Sequence, residues 1–323
     1  MLDPFCGSGT TLVEAARQDS VAIGIDCNPI ATLMSRFKLL SIDSLVEGDL
    51  DQAFKELDEE RRSFRAEHPL HEFPGRDHWF APHVQTELAT LLRLIERTEN
   101  PTVQLILRVA LSTVINRVSY QDSETRYARI EREVEPLQTM NLFSERVSKL
   151  LTLLKLRGQL NGRAHQVLQA DVMRGIPLRD ESCDQIITSP PYANTMDYYL
   201  YHKQRMNVLG YKFKPVQRAE IGSRWEYSSM KSTQEKWEAD YGHVLAEMWR
   251  VLKPRSEAII VIGDSQIGGK KIDAAELTLR LAAELGFVPE LLESVPMAGR
   301  SKSFNARFQR PNKSEHVLRL EKP

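Results

Sequence analysis

The sequence predicts an α/β fold that a long, mostly helical segment interrupts. Residues 1–26 run in the order short strand, glycine turn, helix, strand and acid, which is the order of a βαβ unit. The alternation of strands and helices resumes at about residue 165. The stretch between them is rich in Glu, Arg, Leu and Gln and has apolar residues at helical spacing. We therefore expect a first α/β segment over residues 1–45, a mostly helical insertion over 46–162 and a second α/β segment over 163–323.

Each predicted element follows from an apolar run and the residues that end it. Residues 1–2 and 21–25 are short apolar strands, the second ending at Asp26, and residues 11–17 between them are helix-like. In the insertion, apolar residues three and four positions apart predict helices around 88–95 and 105–115. The later predicted elements are the strands 167–170 and 183–188, the helix 241–252, the strand 258–262, the helix 274–285 and the strand 316–320.

Composition is that of an ordinary globular protein. Of 323 residues, 41% are hydrophobic and 27% charged, no run of eighteen apolar residues occurs, and the N-terminus lacks a secretory signal pattern. The three cysteines Cys6, Cys27 and Cys183 have no metal-type spacing, which indicates a reducing, cytoplasmic location and no cysteine metal site. The formal net charge of −1 gives no global attraction to polyanions, so any nucleic-acid contact must use local positive charge.

The first motif with chemical content is the glycine turn of residues 3–10. Gly7 and Gly9 let the backbone turn tightly and approach a ligand without a Cβ in the way, and the following helix start offers free N–H groups. Asp26 ends the next strand, where an acid can accept hydrogen bonds from ribose hydroxyls. The third glycine of the dinucleotide fingerprint is missing, which favours a nucleoside cofactor with an amino-acid group over a pyrophosphate. The alternative is a glycine turn that closes an ordinary βα unit.

The second motif, residues 188–192, directly follows a predicted strand. The exocyclic amine of a base is a poor nucleophile because its lone pair is delocalised, and it needs acceptors that draw its two N–H groups toward tetrahedral geometry. The side chain of Ser189 and the carbonyl of Pro190 can supply both acceptors, while Pro190 and Pro191 stiffen the segment. Tyr192 can stack on a base rotated out of its helix. The alternative is a Pro-Pro loop that simply ends a strand.

Together the two motifs resemble those of the amino-methyltransferases that modify cytosine N4 or adenine N6 in DNA. Residues 3–10 resemble the cofactor loop of that family, and residues 189–192 resemble its catalytic tetrapeptide. The resemblance covers roughly residues 1–40 and 165–323 and says little about the insertion. It implies a Rossmann-like class I methyltransferase sheet, seven-stranded and mostly parallel, with helices on both faces.

The resemblance also implies a cofactor, S-adenosyl-L-methionine, and the residues that hold it. Asp171, at the end of the strand before the catalytic one, would meet the adenine of the cofactor. The implied cofactor-binding residues are Asp3, Pro4, Phe5, Cys6, Gly7, Gly9, Thr10, Asp26, Cys27, Asn28, Asp171 and Val172, and the implied catalytic residues are Ser189, Pro190, Pro191 and Tyr192.

The function so implied is site-specific DNA methylation, of the kind found in restriction-modification, by direct transfer to a flipped base. Ser at the first tetrapeptide position is more typical of cytosine-N4 enzymes, so cytosine N4 is preferred over adenine N6. One alternative is an RNA methyltransferase of the tRNA guanine-N2 type, which usually has Asn or Asp where this chain has Ser189. The other is a non-catalytic subunit that keeps the fold and binds DNA.

One departure from the family concerns the N-terminus. These enzymes usually carry, upstream of the cofactor loop, a helix and loop that close over the methionine part of the cofactor, whereas this chain starts two residues before Asp3. Two explanations stay open: the chain is truncated, or a second polypeptide supplies the element. The expected partners are thus DNA and such a polypeptide, and no membrane.

Two acid-free basic stretches are candidates for contacts with DNA phosphates. One lies at 300–313 with Phe304 and Phe308 interleaved, and its alternative is a solvated hairpin whose phenylalanines are core. The other, at 203–218, lies soon after the tetrapeptide. The predicted phosphate contacts are Lys203, Arg205, Lys212, Lys214, Arg300, Lys302 and Arg307.

The insertion contains an unusually polar and aromatic segment at 117–132. Because Gln, Arg and Thr are residues that contact base edges, we hypothesise that it contributes to target recognition through Arg126 and Tyr127. The alternative is an interhelical loop. Four histidines, between residues 68 and 83, follow no spacing that predicts a zinc site, and no metal is expected.

Overall fold

The computed structural model describes residues 1–41, 44–62, 69–124, 126–228, 233–297 and 313–323. The chain forms two compact units. The first comprises Met1–Ser35, Arg163–Tyr199 and Lys214–Pro323, and the second comprises Arg36–Gly162 and Leu200–Phe213. The second unit therefore starts ten residues before the predicted insertion and takes in a short segment after the tetrapeptide.

The first unit is built on a seven-stranded sheet, and the predicted fold class is confirmed. Its strands, in spatial order, are β10 (Val288–Pro296), β11 (Ser314–Lys322), β7 (Leu252–Gly263), β6 (Cys183–Thr188), β1 (Leu2–Asp3), β2 (Ile23–Asp26) and β5 (Gln166–Gln169). The neighbouring strands from β7 to β5 are parallel, and β11 is antiparallel to both β7 and β10.

The order of the strands reverses at β1. The next strand along the chain, β2, lies on one side of β1, and β6 lies on the other. In open α/β sheets a crevice forms at such a point, outside the carboxyl ends of the strands. The glycine turn follows β1 and the Ser-Pro-Pro-Tyr segment follows β6, so both motifs leave the sheet at this crevice.

Several described helices accompany this sheet. They are α1 (Thr10–Arg17), α2 (Pro29–Lys38, which continues into the second unit), α8 (Tyr198–Tyr201), α10 (Phe213–Ala219), α11 (Arg224–Ser228), α12 (Gln234–Val251) and α13 (Ala274–Glu284), with a 3-10 turn at Val172–Arg174. The side chains of Thr233 and Asp273 cap α12 and α13 by accepting N–H groups of the first turn. Trp237 and Tyr241 of α12 stack 5.5 Å apart in the core, so this helix anchors the sheet through its buried face.

Several features of the first unit differ from the sequence prediction, among them the start of α12, which lies seven residues earlier than predicted, at Gln234. Strand β7 begins six residues earlier than predicted, at Leu252. The predicted elements do not include β10, whose residues are mostly exposed and therefore lack an apolar alternation. They also omit a small hairpin of β8 (Ser265–Ile267) and β9 (Lys270–Ile272). Because β10 is an edge strand with mostly exposed residues, its sequence has no alternation of apolar and polar residues that would predict a strand.

The second unit is mostly helical in its described part. Its helices are α3 (Ser44–Arg62), α4 (Arg76–Trp79), α5 (Pro82–Arg97), α6 (Pro101–Val118), α7 (Gln138–Arg157) and α9 (Lys203–Val208). Proline opens α5 and α6, where its missing N–H is not needed. Between α6 and α7, β3 (Gln121–Ser123) and β4 (Arg126–Arg129) form an antiparallel hairpin. An interhelical loop is the alternative that the sequence leaves open for this segment, and the sequence does not predict the two strands.

Among the described residues, no helix is both long enough and apolar enough to span a bilayer.

Candidate active site

The glycine turn has the backbone conformation that its sequence predicts. Gly7 and Gly9 have φ angles of 48° and 78°, a region that side chains with a Cβ rarely adopt. A Cβ on Gly9 would lie 2.6 Å from the Oγ of Ser35, so this glycine is required by close packing against α2. A Cβ on Gly7 would meet no atom within 4 Å. The turn is therefore closed on the side of Gly9 and has open space beside Gly7.

Asp26 ties this turn to the end of the neighbouring strand. One carboxylate oxygen accepts the N–H of Gly7 at 2.9 Å and the other accepts the N–H of Asn28 at 2.8 Å. Burial raises the pKa of Asp26 above its ordinary value, against these two hydrogen bonds. A carboxylate has about four lone-pair sites, so Asp26 keeps acceptor capacity for ligand hydroxyl groups.

Asp3 joins the two motifs to each other. Its side chain is 3% exposed, and Oδ1 accepts the hydroxyl of Thr188 at 2.7 Å and the N–H of Phe5 at 3.1 Å. Burial raises the pKa of Asp3 to about 6. Asp3 and Thr188 are 185 positions apart in sequence, and their contact fixes the glycine turn beside the tetrapeptide.

The remaining residues predicted to hold a cofactor surround this edge of the sheet. Pro4 and Cys6 are buried and Thr10 is exposed at the start of α1. The Cys6 thiol lies 3.7 Å from the hydroxyl of Ser35, and burial raises its pKa to about 12, so it serves as a neutral packing group. Asn28 is 4% exposed and caps α2 through the N–H of Ile30.

Asp171 lies at the end of β5, next to the end of β2. The N–H of Ala170 donates to the carbonyl of Asp26 at 3.1 Å, which brings these two strand ends together. Asp171 caps the short 3-10 turn by accepting the N–H of Met173, and Arg174 lies 3.4 Å away. Val172, which follows it, is buried. Asp171 is thus brought to the same edge as Asp26 and Gly7.

The tetrapeptide leaves β6 as an extended segment. Ser189 is exposed and Pro190 is buried, and the side chain of Ser189 forms a hydrogen bond with the phenol of Tyr192. The ring of Tyr192 lies against Gly263, where a Cβ would be 2.6 Å from Cε2. The phenol donates to Glu315 at 2.6 Å. Burial first, and then the hydrogen bond to Glu315, raise the pKa of Tyr192 well above its ordinary range.

A buried carboxylate holds Glu315 in place. Asp264 accepts the N–H of Ser314 at 3.0 Å and bonds to Nε2 of His316 at 3.1 Å, so the residues on both sides of Glu315 are fixed to the end of β7. Among the described residues, one group of three side chains could offer ligand atoms to a metal ion, since these atoms lie within 4.8 Å of one another: Asp264, Asp273 and His316. The ammonium of Lys271 already lies 3.0 Å from Asp264, which gives this group the character of an ion-pair anchor.

Sequence reasoning missed Glu220, whose carboxylate belongs to this edge. It is 8% exposed and accepts the N–H groups of Tyr198 and Tyr199, each at 2.8 Å. Burial raises its pKa to about 8, and the nearby charges of Asp197 and Asp26 act in the same direction. No spacing in the sequence relates Glu220 to Asp26, so only the folded chain could reveal it.

The basic residues predicted after the tetrapeptide divide into two kinds. Lys212 and Lys214 are exposed, as a phosphate contact requires. Lys203 is half-buried above the rings of Tyr127 and Phe213, and burial lowers its pKa.

Arg205 is an internal residue of the second unit. It is 9% exposed and bonds to the carbonyl of Ser112, to His202 and to Glu124, which argues against the phosphate contact predicted for it. The predicted contacts Arg300, Lys302 and Arg307 lie outside the described residues.

The hairpin of the second unit carries the residues expected to contribute to target recognition. Arg126 is exposed and pairs with Asp122 at 3.0 Å. Tyr127 lies against Trp79, with ring centroids 4.8 Å apart. Of the clustered histidines, His71 and His83 each bond to a backbone carbonyl at 2.7 Å, which gives both a structural role, and His68 lies outside the described residues.

Comparisons with known proteins identify relatives. The chain is 25% identical over 278 residues to the Type II methyltransferase M.BsoBI of Geobacillus stearothermophilus, covering 76% of this chain and 53% of that protein. It is 23% identical to M.MjaII of Methanocaldococcus jannaschii, covering 82% and 67%, and 23% identical to M.MvaI of Kocuria varians, covering 62% and 48%. Both of these are also Type II methyltransferases. The chain thus spans about half to two thirds of the length of these relatives.

Comparisons with family models and with solved structures identify no further relatives that bear on function. No family model matches the chain. The solved structure of TTHA0409 from Thermus thermophilus, in complex with S-adenosyl-L-methionine, aligns with 47% of this chain and 52% of its own at 18% identity and a TM-score of 0.27, a likeness too low to argue from. None of the comparisons supports a second polypeptide. The predicted resemblance is confirmed by the sequence relatives, which are Type II methyltransferases to which this chain is similar at 23–25% identity.

Proposed function

We propose that this chain transfers a methyl group from S-adenosyl-L-methionine to the exocyclic amine of a base in DNA, with cytosine N4 preferred. One observation carries the proposal: the hydrogen bond between Asp3 and Thr188 fixes the glycine turn beside the Ser-Pro-Pro-Tyr segment. A nucleoside site and a pair of amine acceptors then share one crevice. The names of the relatives support the same reaction class.

The residues at the crevice fit the proposed cofactor. Open space beside Gly7 allows a ligand to approach the backbone of the turn, and Asp26 retains acceptor capacity toward ribose hydroxyls. Asp171, at the neighbouring strand end, is placed to accept from an adenine amino group. When bound, S-adenosyl-L-methionine supplies a methyl group on a positively charged sulfur.

The catalytic role falls to the tetrapeptide. The hydroxyl oxygen of Ser189 and the carbonyl of Pro190 accept the two N–H groups of the target amine, which localises the nitrogen lone pair. The nitrogen would then form an N–C bond to the methyl group as the bond between that carbon and the cofactor sulfur breaks, and the amine would lose one proton to solvent. Positioning supplies much of the acceleration, since oriented reactants avoid a large entropic barrier. Cysteine plays no part as a nucleophile, because the amine itself attacks.

We propose that the target base leaves the duplex to reach this segment and rests against Tyr192, since methyltransferases cannot reach a base atom inside a duplex. Gly263 and Glu315 hold the Tyr192 ring in one orientation. Exposed Lys212 and Lys214 would contact phosphates. The hairpin with exposed Arg126 would contribute to sequence preference, and a role in restriction-modification follows from the same reaction.

The test is transfer of labelled methyl from S-adenosyl-L-methionine to mixed-sequence duplex DNA and to bulk RNA, with modified nucleosides identified by mass. Pro191→Ala removes the stiffness of the tetrapeptide, and exposed Pro136→Ala is the matched control. We expect N4-methylcytosine in DNA with the wild type and the control, and about 100-fold less with Pro191→Ala.

Three other outcomes contradict parts of this proposal. Label in RNA alone would identify the RNA methyltransferase alternative. N6-methyladenine in DNA would overturn the preference for cytosine. No label in either substrate would identify the chain as non-catalytic. In the same assay, Arg126→Ala and Tyr127→Ala test the hairpin of β3 and β4. An unaltered preference for the methylated site would contradict its proposed role in target recognition.

A further inference from the structure

Glu220 is a buried carboxylate that the proposed reaction leaves without a role. Its two oxygens accept the N–H groups of Tyr198 and Tyr199 at the start of α8, each at 2.8 Å. Two backbone hydrogen bonds are fewer than a buried carboxylate can accept. A buried charge is costly unless it is also paired with an opposite charge, so these bonds alone leave Glu220 incompletely compensated.

The chain places Glu220 beside the segment that follows the tetrapeptide. The N–H of Asn194 donates to the carbonyl of Gly222 at 2.8 Å, and the N–H of Trp225 donates to Asp197 at 2.8 Å. Gly222 has a φ angle of 69°, and a Cβ there would lie 2.8 Å from the Trp237 ring. These contacts fix the stretch that carries Glu220 along residues 193–197.

The charges of Asp197 and Asp26 that act on Glu220 are negative, and the positive charge of Arg224 acts on Asp197. Burial raises the pKa of the Cys27 thiol most strongly. The negative charges of Asp26, Glu220 and Asp171 raise it further, in that order of strength. Asp197 and Asp26 in turn raise the pKa of Glu220. The carboxylates that hold the ribose and adenine ends of the proposed cofactor site therefore share their surroundings with Glu220. A cation bound among them would lower the electrostatic energy of all of them.

We propose that Glu220 selects the positively charged methyl donor over the neutral product of transfer. The inference rests on the proposed function. S-adenosyl-L-methionine carries a sulfonium charge, whereas S-adenosylhomocysteine has a neutral thioether at the same atom and is otherwise the same ligand. A carboxylate near that atom favours the donor through the charge alone. Loss of the charge on transfer then weakens binding of the product and promotes its release.

The first test measures binding by calorimetry, without DNA. The ligands are S-adenosyl-L-methionine, sinefungin, which carries an amine charge near the same atom, and S-adenosylhomocysteine. With Glu220→Gln we expect affinity for the two charged ligands to fall by about tenfold, as one lost charge interaction predicts, while S-adenosylhomocysteine changes by less than about twofold. An equal change for all three ligands, or no change, would overturn the inference.

The matched control is Glu87→Gln in the second unit. Glu87 is 0% exposed and accepts the N–H groups of Leu137 and Thr139 at 2.7 and 3.0 Å, so both substitutions disturb a buried glutamate that accepts two backbone N–H groups. We expect Glu87→Gln to leave the ratio of donor to product affinity unchanged. A similar loss of preference in both variants would assign the effect to general destabilisation and overturn the role of Glu220.

A second measurement uses only the wild-type protein and stays informative if Glu220→Gln does not fold. Titrations near pH 7 in buffers of different ionisation enthalpy count the protons released on binding. A cation beside Glu220 lowers its pKa, so binding of S-adenosyl-L-methionine should release more protons than binding of S-adenosylhomocysteine. Equal release for both ligands would overturn the inference. If neither ligand binds at all, the proposed function itself fails.

Discussion

Glu87 in the helical unit and Glu220 in the sheet unit make hydrogen bonds of the same kind, and the charges of Asp197 and Asp26 act on Glu220. Each is buried, and each accepts two backbone N–H groups at the start of a helix. Glu87 fixes the start of α7, where Leu137 has a φ angle of 66°. Glu220 does the same for α8, and burial, followed by the nearby charges of Asp197 and Asp26, raises its pKa. The hydrogen bonds thus explain the local structure, and the neighbouring charges support the proposed role of Glu220 in selecting a charged ligand.

The largest expected effect is on stability, and it tests whether the two glutamates are equivalent as structural groups. Replacing either by Gln turns one acceptor oxygen into an NH₂ group that faces a backbone N–H. We expect Glu87→Gln to lower the free energy of unfolding by about 3 kcal/mol, as loss of a buried charged hydrogen bond costs. Urea denaturation at pH 7 measures it.

For Glu220→Gln we expect a smaller loss of stability at the same pH, because a pKa of about 8 leaves Glu220 largely protonated at pH 7, so that Gln replaces a side chain that is already mostly neutral. A loss of stability with Glu220→Gln that equals or exceeds the loss with Glu87→Gln would contradict this expectation.

The next effect is the pH dependence of stability without ligand. The pKa of Glu220 is raised to about 8, above the ordinary value of 4.5, so the folded state binds more protons than the unfolded state between these values. Its contribution is therefore fully present below pH 4.5 and is lost as pH rises through about 8. Asp3, with a pKa raised to about 6, acts in the same direction at lower pH.

We expect the free energy of unfolding to fall by a few kcal/mol between about pH 5 and pH 8, and Glu220→Gln to flatten this slope. Denaturation midpoints across this pH range measure the effect. If the free energy of unfolding of Glu220→Gln falls with pH as steeply as that of the wild type, the group that titrates is not Glu220.

The smallest effect concerns a third carboxylate, Glu315, which acts by holding Tyr192. Gly263→Ala places a methyl group 2.6 Å from the present position of Cε2, so the ring must move. We expect about a tenfold fall in kcat, with cofactor affinity unchanged. Glu315→Gln, which keeps an acceptor for the phenol, should lower kcat by only about twofold. Methyl transfer under saturating DNA and cofactor measures both, and equal kcat values for the two variants would contradict a positioning role for the Tyr192 ring.

Local sequence patterns predicted most of the elements that position the site. Strand β6 has the predicted bounds, and α1 and α13 differ from prediction by one residue, because apolar spacing and capping residues act over a few positions. The edge strand β10 escaped prediction since its side chains are largely exposed. The hairpin of β3 and β4 escaped it because its strands have only three and four residues.

The candidate site was predicted only in part for a related reason. The glycine turn and the tetrapeptide carry their chemistry in adjacent residues, so a short window contains each signal. Glu315 and Glu220 contribute through residues far from them in sequence, Tyr192 and the segment 198–199. Arg205 was taken for a phosphate contact because charge alone does not reveal burial, and its bonds to Ser112 and Glu124 depend on helix packing.

The sequence by itself determined the α/β class, the conformation of the glycine turn and the stiffness of the tetrapeptide, because each depends on neighbouring residues. Only the tertiary structure decided that Asp3 bonds Thr188 across 185 positions and that Glu220 shares its surroundings with Asp26. The physical reason is that carboxyl ends of parallel strands meet only when the sheet has formed. The carboxyl groups of Asp3 and Asp26 have raised pKa values mainly because the folded chain buries them, which the residues next to them in sequence cannot do.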